Sequence, residues 1–439
     1  MRQLKDSGIE WLGQVPKCWE LRRLQYILCE RNEKNIPVKT SEILSLTASQ
    51  GVIPHAEKEG GGNKPKEDLS AYKLAYPDDI VMNSMNVLSG AVGLSKYYGC
   101  VSPVYYMLYS DDENIDIRFY NYMFKTKAFQ RSLMGLGNGI LIKESDNGTL
   151  NTIRMRIPME KLSKLNFVVP SITEQRTIVD FLDEKIPEVD AIISKTKESI
   201  ELYKKYKQAI ITEAVTKGLD TCVPMKDSEV EWIGSIPKSW NVWRLKYLLK
   251  EPMQYGANES GIPFEEMLPR YIRITDITSD NQLKDIGKLS LTEDMAKGYI
   301  LNDGDILFAR SGGTVGKSFI YKAEYGKCAF AGYLIKATID KHVLPKFVYY
   351  YTLTKSYDSW KNRIFIQSTI QNIGADKYSN MEIVVPNTIE EQVEIIKYLD
   401  ARCAEIDVLI AKKEAFVEEM ESYKQSLIYE YVTGKKEVL

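Results

Sequence analysis

No two of the six cysteines stand close together. Cys18, Cys29, Cys100, Cys222, Cys328 and Cys403 are spread over 439 residues, so there is no C-x-x-C pair for zinc or redox work. Histidine is scarcer still, with only His55 and His342. A zinc hydrolase or a Ser-His-Asp enzyme needs an imidazole among partners, and neither His has ligand neighbours in sequence. No run approaches the roughly 18 uninterrupted apolar residues of a membrane span. The opening MRQLKDSGIEW lacks the apolar stretch of a signal peptide, which points to a cytoplasmic protein. Charge of one sign is not in excess either. Lys plus Arg is 58 against 60 for Asp plus Glu, a net charge of −2. That excludes a wholly basic, histone-like binder but leaves room for a basic face balanced elsewhere. No Pro-Pro pair occurs, so the Asn-Pro-Pro-Tyr kind of adenine methyltransferase motif is missing.

What the chain does have is itself, twice. Residues 6–26 read DSGIEWLGQVPKCWELRRLQY, and residues 227–247 read DSEVEWIGSIPKSWNVWRLKY. The offset is 221, and it aligns Asp6/Asp227, Trp11/Trp232, Gly13/Gly234, Pro16/Pro237, Trp19/Trp240, Arg23/Arg244 and Tyr26/Tyr247. A second pair of blocks repeats at an offset of 217, VVPSITEQRTIVDFLDEKIPEVD ending at Asp190 and VVPNTIEEQVEIIKYLDARCAEID ending at Asp407. Joined tail to head, YVTGKKEVL and MRQLKDSGIEW resemble the internal junction AVTKGLDTCVPMKDSEVEW. The sequence therefore looks cyclic, which predicts a two-fold pseudosymmetric body with neighbouring termini.

Each second block opens as a helix should. Ser171 with Glu174, and Thr388 with Glu391, fit the S/T-x-x-E capping box after a proline. An apolar seam follows at Val189, Ile193, Ile200, Tyr203, Ile210 and Ala214, with counterparts Ile406, Ile410, Val417, Met420, Leu427 and Tyr431. This spacing is that of a coiled coil, with Lys207 and Lys424 as polar breaks. Pro187 suits a first turn rather than a helix interior. A short helix at 172–183, a break and then a long helix are expected. At about 1.5 Å per residue the stretch 186–217 would span ~48 Å, and two such helices pairing antiparallel would carry globular domains at opposite ends.

Between the helices the pattern is short, β-rich and turn-punctuated. YIRITDI at 271–277, GDILFARSGGTVGKSFIY at 304–321 and AFAGYLIKATI at 329–339 read as strands with turns. In the first half DDIVMNSMNVLSGAVGLSKYY at 78–98 and SPVYYMLYS at 102–110 correspond. The frames repeat while the loop tips differ, so the two domains should bind different ligands. Ser311 to Ser318 nearly spells a P-loop, but Ser311 replaces its first glycine and strand-like FIY follows where a helix should begin. In the first half Leu94 stands where the lysine would be. A glycine turn is the better reading. Pro77-Asp78 and Asp183-Glu184-Lys185 are fragments of a nuclease-like pattern and read as surface charge.

These motifs together resemble the specificity subunits of Type I restriction–modification systems. The duplicated D-S-x-x-E-W-x-G-x-x-P-x-x-W, the runs GDILFARSGGTVGKS and NSMNVLSGAVGLSKYYGCVSPVYYML, and the P…Q…FLD/YLD helix openings carry the resemblance across essentially the whole chain. It implies a mixed α/β fold: two pseudo-symmetric target recognition domains separated by two long antiparallel helices forming a coiled coil. The boundaries read 1–170 and 218–386 for the recognition domains, and 171–217 and 387–439 for the helical regions. Each recognition domain would read one half of a bipartite double-stranded DNA site. Two modification (methyltransferase) subunits and the restriction (nuclease-translocase) subunits would dock on the chain, which would have no membrane partner. S-adenosylmethionine, ATP and Mg²⁺ would belong to those partners, with no cofactor and no metal on this non-catalytic subunit.

Non-identical halves predict an asymmetric site. Base reading should come from loop-borne Arg, Lys, Asn, Gln and aromatics, with other Lys and Arg on phosphates. The candidates are Asn63, Lys64, Lys66, Asn83, Ser84, Asn86, Lys96 and Asn138 in the first domain. In the second they are Arg270, Arg273, Arg310, Ser311, Thr314 and Lys317, with Arg310 foremost because it ends a strand at a glycine turn. Tyr206, Phe416, Tyr423 and Tyr429 leave apolar area over for partner docking. Two rivals remain: a nucleotide-binding or nuclease enzyme using the 311–318 loop, and a bivalent protein scaffold. Salt-dependent binding to duplex DNA separates the second from the favoured reading.

Overall fold

The computed structural model describes residues 2–47, 50–58, 65–140, 154–278, 281–366 and 372–438. The chain divides into two compact units, one of residues 1–196 with 415–439 and one of residues 197–414. Two long helices, Ile172–Lys217 and Ile389–Val432, each contribute to both units.

Their first turns form as the sequence suggests, with one change. Ser171 Oγ accepts the Glu174 amide and Thr388 Oγ1 the Glu391 amide, each at 3.3 Å. The glutamates are used elsewhere. Glu174 Oε2 accepts Trp19 Nε1–H at 2.8 Å, and Glu391 Oε1 accepts Trp240 Nε1–H at 2.9 Å. Half of each capping box is thus spent on tying the helix start to a buried indole of its own unit.

The expected break near Pro187 does not occur. The helix runs through it for 46 residues. Pro187 faces outward, and the apolar stripe Leu182, Ile186, Val189 and Ile193 stays buried on either side of it. An interior proline costs about 3 kcal/mol. Burying each of those side chains contributes roughly 1.5–3 kcal/mol, so continuous packing prevails over the missing amide.

Within each unit the two helices run antiparallel. In the first, Phe181 meets Tyr431 at 4.5 Å between ring centroids, and Asp190 Oδ1 pairs with Lys424 Nζ at 2.6 Å. In the second, Lys413 Nζ lies over the Tyr203 ring and Lys207 Nζ pairs with Asp407 Oδ2 at 2.6 Å. The two lysines that interrupt the apolar seam are therefore equivalent ion pairs, one per unit.

Each unit holds the same four-stranded antiparallel sheet. In the first its order is Cys29–Arg31, Tyr105–Tyr109, Ile80–Asn83, Val92–Leu94. In the second it is Gln254–Tyr255, Leu334–Ala337, Ile306–Ala309, Ser318–Ile320. The second unit also holds a four-stranded sheet in which Arg270–Ile272 pairs in parallel with Cys328–Phe330; the first has two strand pairs, Leu44–Thr47 with Gly51–Pro54 and Lys73–Ala75 with Gly99–Val101, linked by a parallel bridge from Ile43 to Cys100. The stretch 271–277 is only partly strand, because Ile274–Asp276 turns as a 3-10 helix. The aspartates of the repeated D-I-V and D-I-L motifs are buried and close turns. Asp79 Oδ2 accepts the Tyr76 amide at 2.9 Å, and Asp305 Oδ2 accepts that of Asn302 at 2.8 Å.

The helix-opening glutamines are equivalent braces. Gln175 Oε1 accepts the Asp116 amide and Gln392 Oε1 the Leu344 amide, both at 2.8 Å. Both glutamines are buried. The C-terminus packs on the N-terminal segment as the cyclic pattern requires: Tyr429 Oη donates to the Trp11 carbonyl at 2.9 Å and Lys435 Nζ to that of Leu12 at 3.2 Å.

Candidate nucleic-acid interface

In the second unit the strand Ile306–Ala309 delivers Arg310 to the head of the glycine turn. Its backbone is fixed on both sides. The amide donates to the Tyr333 carbonyl at 3.0 Å, and the carbonyl accepts the Ile373 amide at 2.9 Å. The guanidinium carbon lies 4.9 Å from the centroid of Tyr255, a cation–π contact that orients the plane of the group. Tyr255 is held in turn, its hydroxyl accepting the Ala375 amide at 3.0 Å. Arg310 Nε is buried and has no hydrogen-bond partner. Tyr333 beside it is 63% exposed. A guanidinium oriented on one exposed aromatic, with a second exposed aromatic at the start of the adjoining strand, has the geometry to read a guanine edge or a phosphate and to stack on bases.

The neighbouring turn is a 3-10 turn at Gly312–Thr314 followed by the strand Ser318–Ile320. No helix follows the lysine, so the phosphate cradle of a P-loop is not formed. Ser311 bridges to Asn372, and the Thr314 carbonyl accepts the Lys317 amide at 3.0 Å. Lys317 Nζ donates to the Thr278 carbonyl at 3.4 Å. Arg270 and Arg273 are placed differently from surface readers. Arg270 is buried, and Nη2 donates to the Lys284 carbonyl. Arg273 forks onto Asp276, Nη2 to Oδ1 at 2.7 Å and Nε to Oδ2 at 3.0 Å, and reaches the Gly287 carbonyl at 2.8 Å. Its pKa rises through that pairing, against burial. Both arginines brace the loop around 284–287.

The first unit gathers fewer of its candidates. Asn63 and Lys64 lie outside the described residues. Lys66 is exposed, and its amide donates to Tyr72 Oη at 3.2 Å. Asn83, Ser84 and Asn86 share one turn at the end of Ile80–Asn83. Asn83 Oδ1 accepts the Met85 amide at 3.0 Å, and exposed Asn86 supplies its carbonyl to Ser89 and Ala91. Ser84 is fully buried and its hydroxyl donates to the Val104 carbonyl at 2.6 Å, so it closes the turn from inside. Lys96 is exposed. Asn138 opens the strand Asn138–Ile140, paired with Arg154–Arg156, and its side chain lies outside the described residues.

Tyr206, Phe416 and Tyr423 are 49%, 41% and 50% exposed. Tyr206 is engaged by the Arg402 side chain. Tyr429 is tied into its own unit through Trp11 and through Lys435, whose ammonium sits 3.9 Å over its ring. Its contacts are internal because it belongs to the joint between the chain ends.

Sequence reasoning overlooked Tyr255 and Tyr333. A basic residue at a turn with aromatics nearby in space is the signal, but Tyr255 stands 55 residues before Arg310 in sequence. Among the described residues no group of His, Cys, Asp and Glu could hold a metal ion, and no helix is long and apolar enough to cross a membrane.

Residues 265–419 match the family described as the Type I restriction modification DNA specificity domain. The chain is 20% identical over 381 residues to the Type I restriction enzyme EcoKI specificity subunit of Escherichia coli K12, covering 84% of this chain and 77% of that protein. It is 23% identical over 437 residues to the Type I restriction enzyme MjaVIII specificity subunit of Methanocaldococcus jannaschii, covering 96% and 94%. A solved chain from work on complex assembly and conformational transition of the type I R-M system superposes with a TM-score of 0.70 at 14% identity, covering 96% of this chain and 99% of that one. That likeness bears on the fold.

Proposed function

We infer that the chain is the specificity subunit of a Type I restriction–modification system, reading an asymmetric, bipartite DNA site with one unit per half-site. One observation carries this reading. The joint between head and helix is duplicated nearly residue for residue, Trp19 to Glu174 and Trp240 to Glu391, whereas Arg310 and its aromatic neighbours have no twin in the first head. A repeated scaffold with unlike tips suits one task performed on two different sequences.

The chain acts by binding. Arg310 supplies a bidentate donor to a base edge or phosphate in the second half-site, with Ser311, Thr314 and Lys317 on the same turn. Asn86, Lys66 and Lys96 are the exposed counterparts in the first. Two methyltransferase subunits dock through the repeated helices, using Tyr206, Phe416 and Tyr423, and restriction subunits join them. S-adenosylmethionine, ATP and Mg²⁺ serve those partners. The P-loop rival loses its support in the strand that follows Lys317.

The test is a genome-wide map of N6-methyladenine with and without the gene. Loss of one gapped, asymmetric motif on deletion is the expected result and gives both half-sites. An unchanged map while the neighbouring methyltransferase is expressed refutes the reading and leaves the protein-scaffold rival.

A further inference from the structure

The two units are anchored alike but floored differently. Around the helix joint they correspond residue by residue. Tyr122 Oη donates to Asp183 at 2.7 Å and Arg118 pairs with the same carboxylate; Tyr350 Oη donates to Asp400 at 2.6 Å and Lys346 pairs with it. By that offset of 228, Asn121 stands where the second unit has Tyr349, Lys125 where it has Leu353, and Gln130 where it has Asp358. On the helices Gln425 matches Gln208 at the offset of 217.

In the second unit these positions satisfy one another. Gln208 Nε2 donates to Asp358 Oδ2 at 2.7 Å, and Lys361 Nζ pairs with Asp358 Oδ1 at 2.7 Å. In the first unit the same place is a cleft of about 730 Å³. Asn121 is 7% exposed and its Oδ1 is buried with no hydrogen-bond partner, as is Oε1 of Gln425. Both acids lining the cleft are already taken, Asp183 by Arg118 and Tyr122, Asp190 by Lys424. Lys125 is therefore half-buried in the cleft without a carboxylate of its own, and burial together with like-charged Lys424 lowers its pKa. Exposed Lys96 and Lys127 also line the opening. A desolvated ammonium without its own carboxylate costs free energy until an anion arrives, and an amide whose buried oxygen lacks a donor loses little by turning its NH2 group to that place.

We propose that this cleft binds a phosphate group, from a DNA backbone or from a free nucleotide, on the Lys125 ammonium with the Asn121 and Gln425 amides beside it. Each amide carries two donor hydrogens as well as an acceptor, and turning the terminal group exchanges them. The site belongs to the first unit only, because Leu353, Tyr349 and Asp358 remove its charge, its amide and its anion affinity from the second. With DNA as the source the proposal rests on the specificity-subunit reading; with a free nucleotide it stands without it.

The full-length chain tests it with two probes. A mixed-sequence duplex, titrated over a range of salt, reads backbone contacts: Lys125→Met should lower the slope of log K against log salt by about one. Inorganic phosphate, compared with chloride at equal ionic strength, reads free anion: the wild type should melt higher and Lys125→Met should not. The Lys127→Gln chain, altered only at an exposed position with no part in the half-site, should weaken the same signal even if Lys125→Met folds poorly. Lys355→Met in the second unit should leave both readouts alone. A slope loss assigns the phosphate to DNA, and a lost melting shift assigns it to a free anion. Both readouts unchanged in Lys125→Met and in Lys127→Gln overturn the proposal. The phosphate arm decides even if the wild type binds no duplex, which would count against the specificity-subunit reading alone.

Discussion

Trp19 and Trp240 occupy one position in two units. Each is fully buried, each packs edge-on against a phenylalanine, Phe119 at 6.2 Å or Phe347 at 6.4 Å, and each donates its indole N–H to the glutamate of a helix start. A short distance away the likeness ends. Where one unit has Asn121 and Lys125 around an open cleft, the other has Tyr349 and Leu353. Where one has Arg310 stacked on Tyr255, the other has a turn closed by buried Ser84. Duplication has kept the parts whose geometry holds head to helix and let the turns and the cleft lining diverge. The largest expected effect tests the kept part. Trp19→Ala and Trp240→Ala should each cost about 3–5 kcal/mol, the range for removing a large buried aromatic. Urea unfolding measures it. A loss below ~1 kcal/mol in one unit only would break the equivalence of the joints.

The helices offer a sharper contrast at one position. Pro187 and Ala404 correspond at the offset of 217, both facing outward on their helices. Replacing Pro187 with Ala restores an amide to the ladder and should stabilise the chain by up to about 3 kcal/mol; Ala404→Pro should destabilise it by a similar amount. Thermal melting of both variants checks the pair. If Pro187→Ala destabilises the chain, the proline serves the helix, and the unbroken stripe is not what carries it through.

Much of this is legible in the sequence, for physical reasons. Repeats survive in sequence because buried indoles, helix caps and glycine turns tolerate few substitutes, and the two blocks around Trp19 and Trp240 show it. The failed P-loop was legible because strand-like residues follow Lys317. Pro187 predicts a break that does not form, because local propensity sees the missing amide and not the stripe packed on both sides. Ser84 and Arg270 looked like surface readers because burial depends on partners distant in sequence, Val104 for one and the Lys284 carbonyl for the other. Tyr255 escaped notice for the same reason: its relation to Arg310 exists only after the strands have paired.

At the tips the comparison turns functional. Arg310→Ala should cost about 1–3 kcal/mol of discrimination at one base position and relax the second half-site alone. Methylation mapping reads this directly, as new sites that vary in one half of the motif and stay fixed in the other. Relaxation in both halves, or in neither, would remove Arg310 from base reading. On the helices, Phe416→Asp with Tyr423→Asp should reduce co-purification of the methyltransferase, and unaltered yield would move the docking surface elsewhere.

The smallest effects come from the paired seam lysines, and they discriminate most finely. Lys207 and Lys424 make equivalent ion pairs with Asp407 and Asp190, and the carboxylates are 55% and 50% exposed. Pairs so open to solvent contribute no more than about 1 kcal/mol and weaken as salt rises. Lys207→Met and Lys424→Met should therefore lower the melting midpoint slightly at low salt and hardly at all at high salt. The two losses should nevertheless differ. When Lys424 is gone, Asp190 is released beside Lys125, which shares the cleft and lacks a carboxylate, so a substitute pair can form. When Lys207 is gone, Asp407 finds Leu353 in the position equivalent to Lys125. Lys424→Met should be the milder change, and Lys125→Met added to it should abolish the advantage. Equal losses at both positions would mean that Asp190 does not turn to Lys125, and that the cleft ammonium is held for something other than the helix seam.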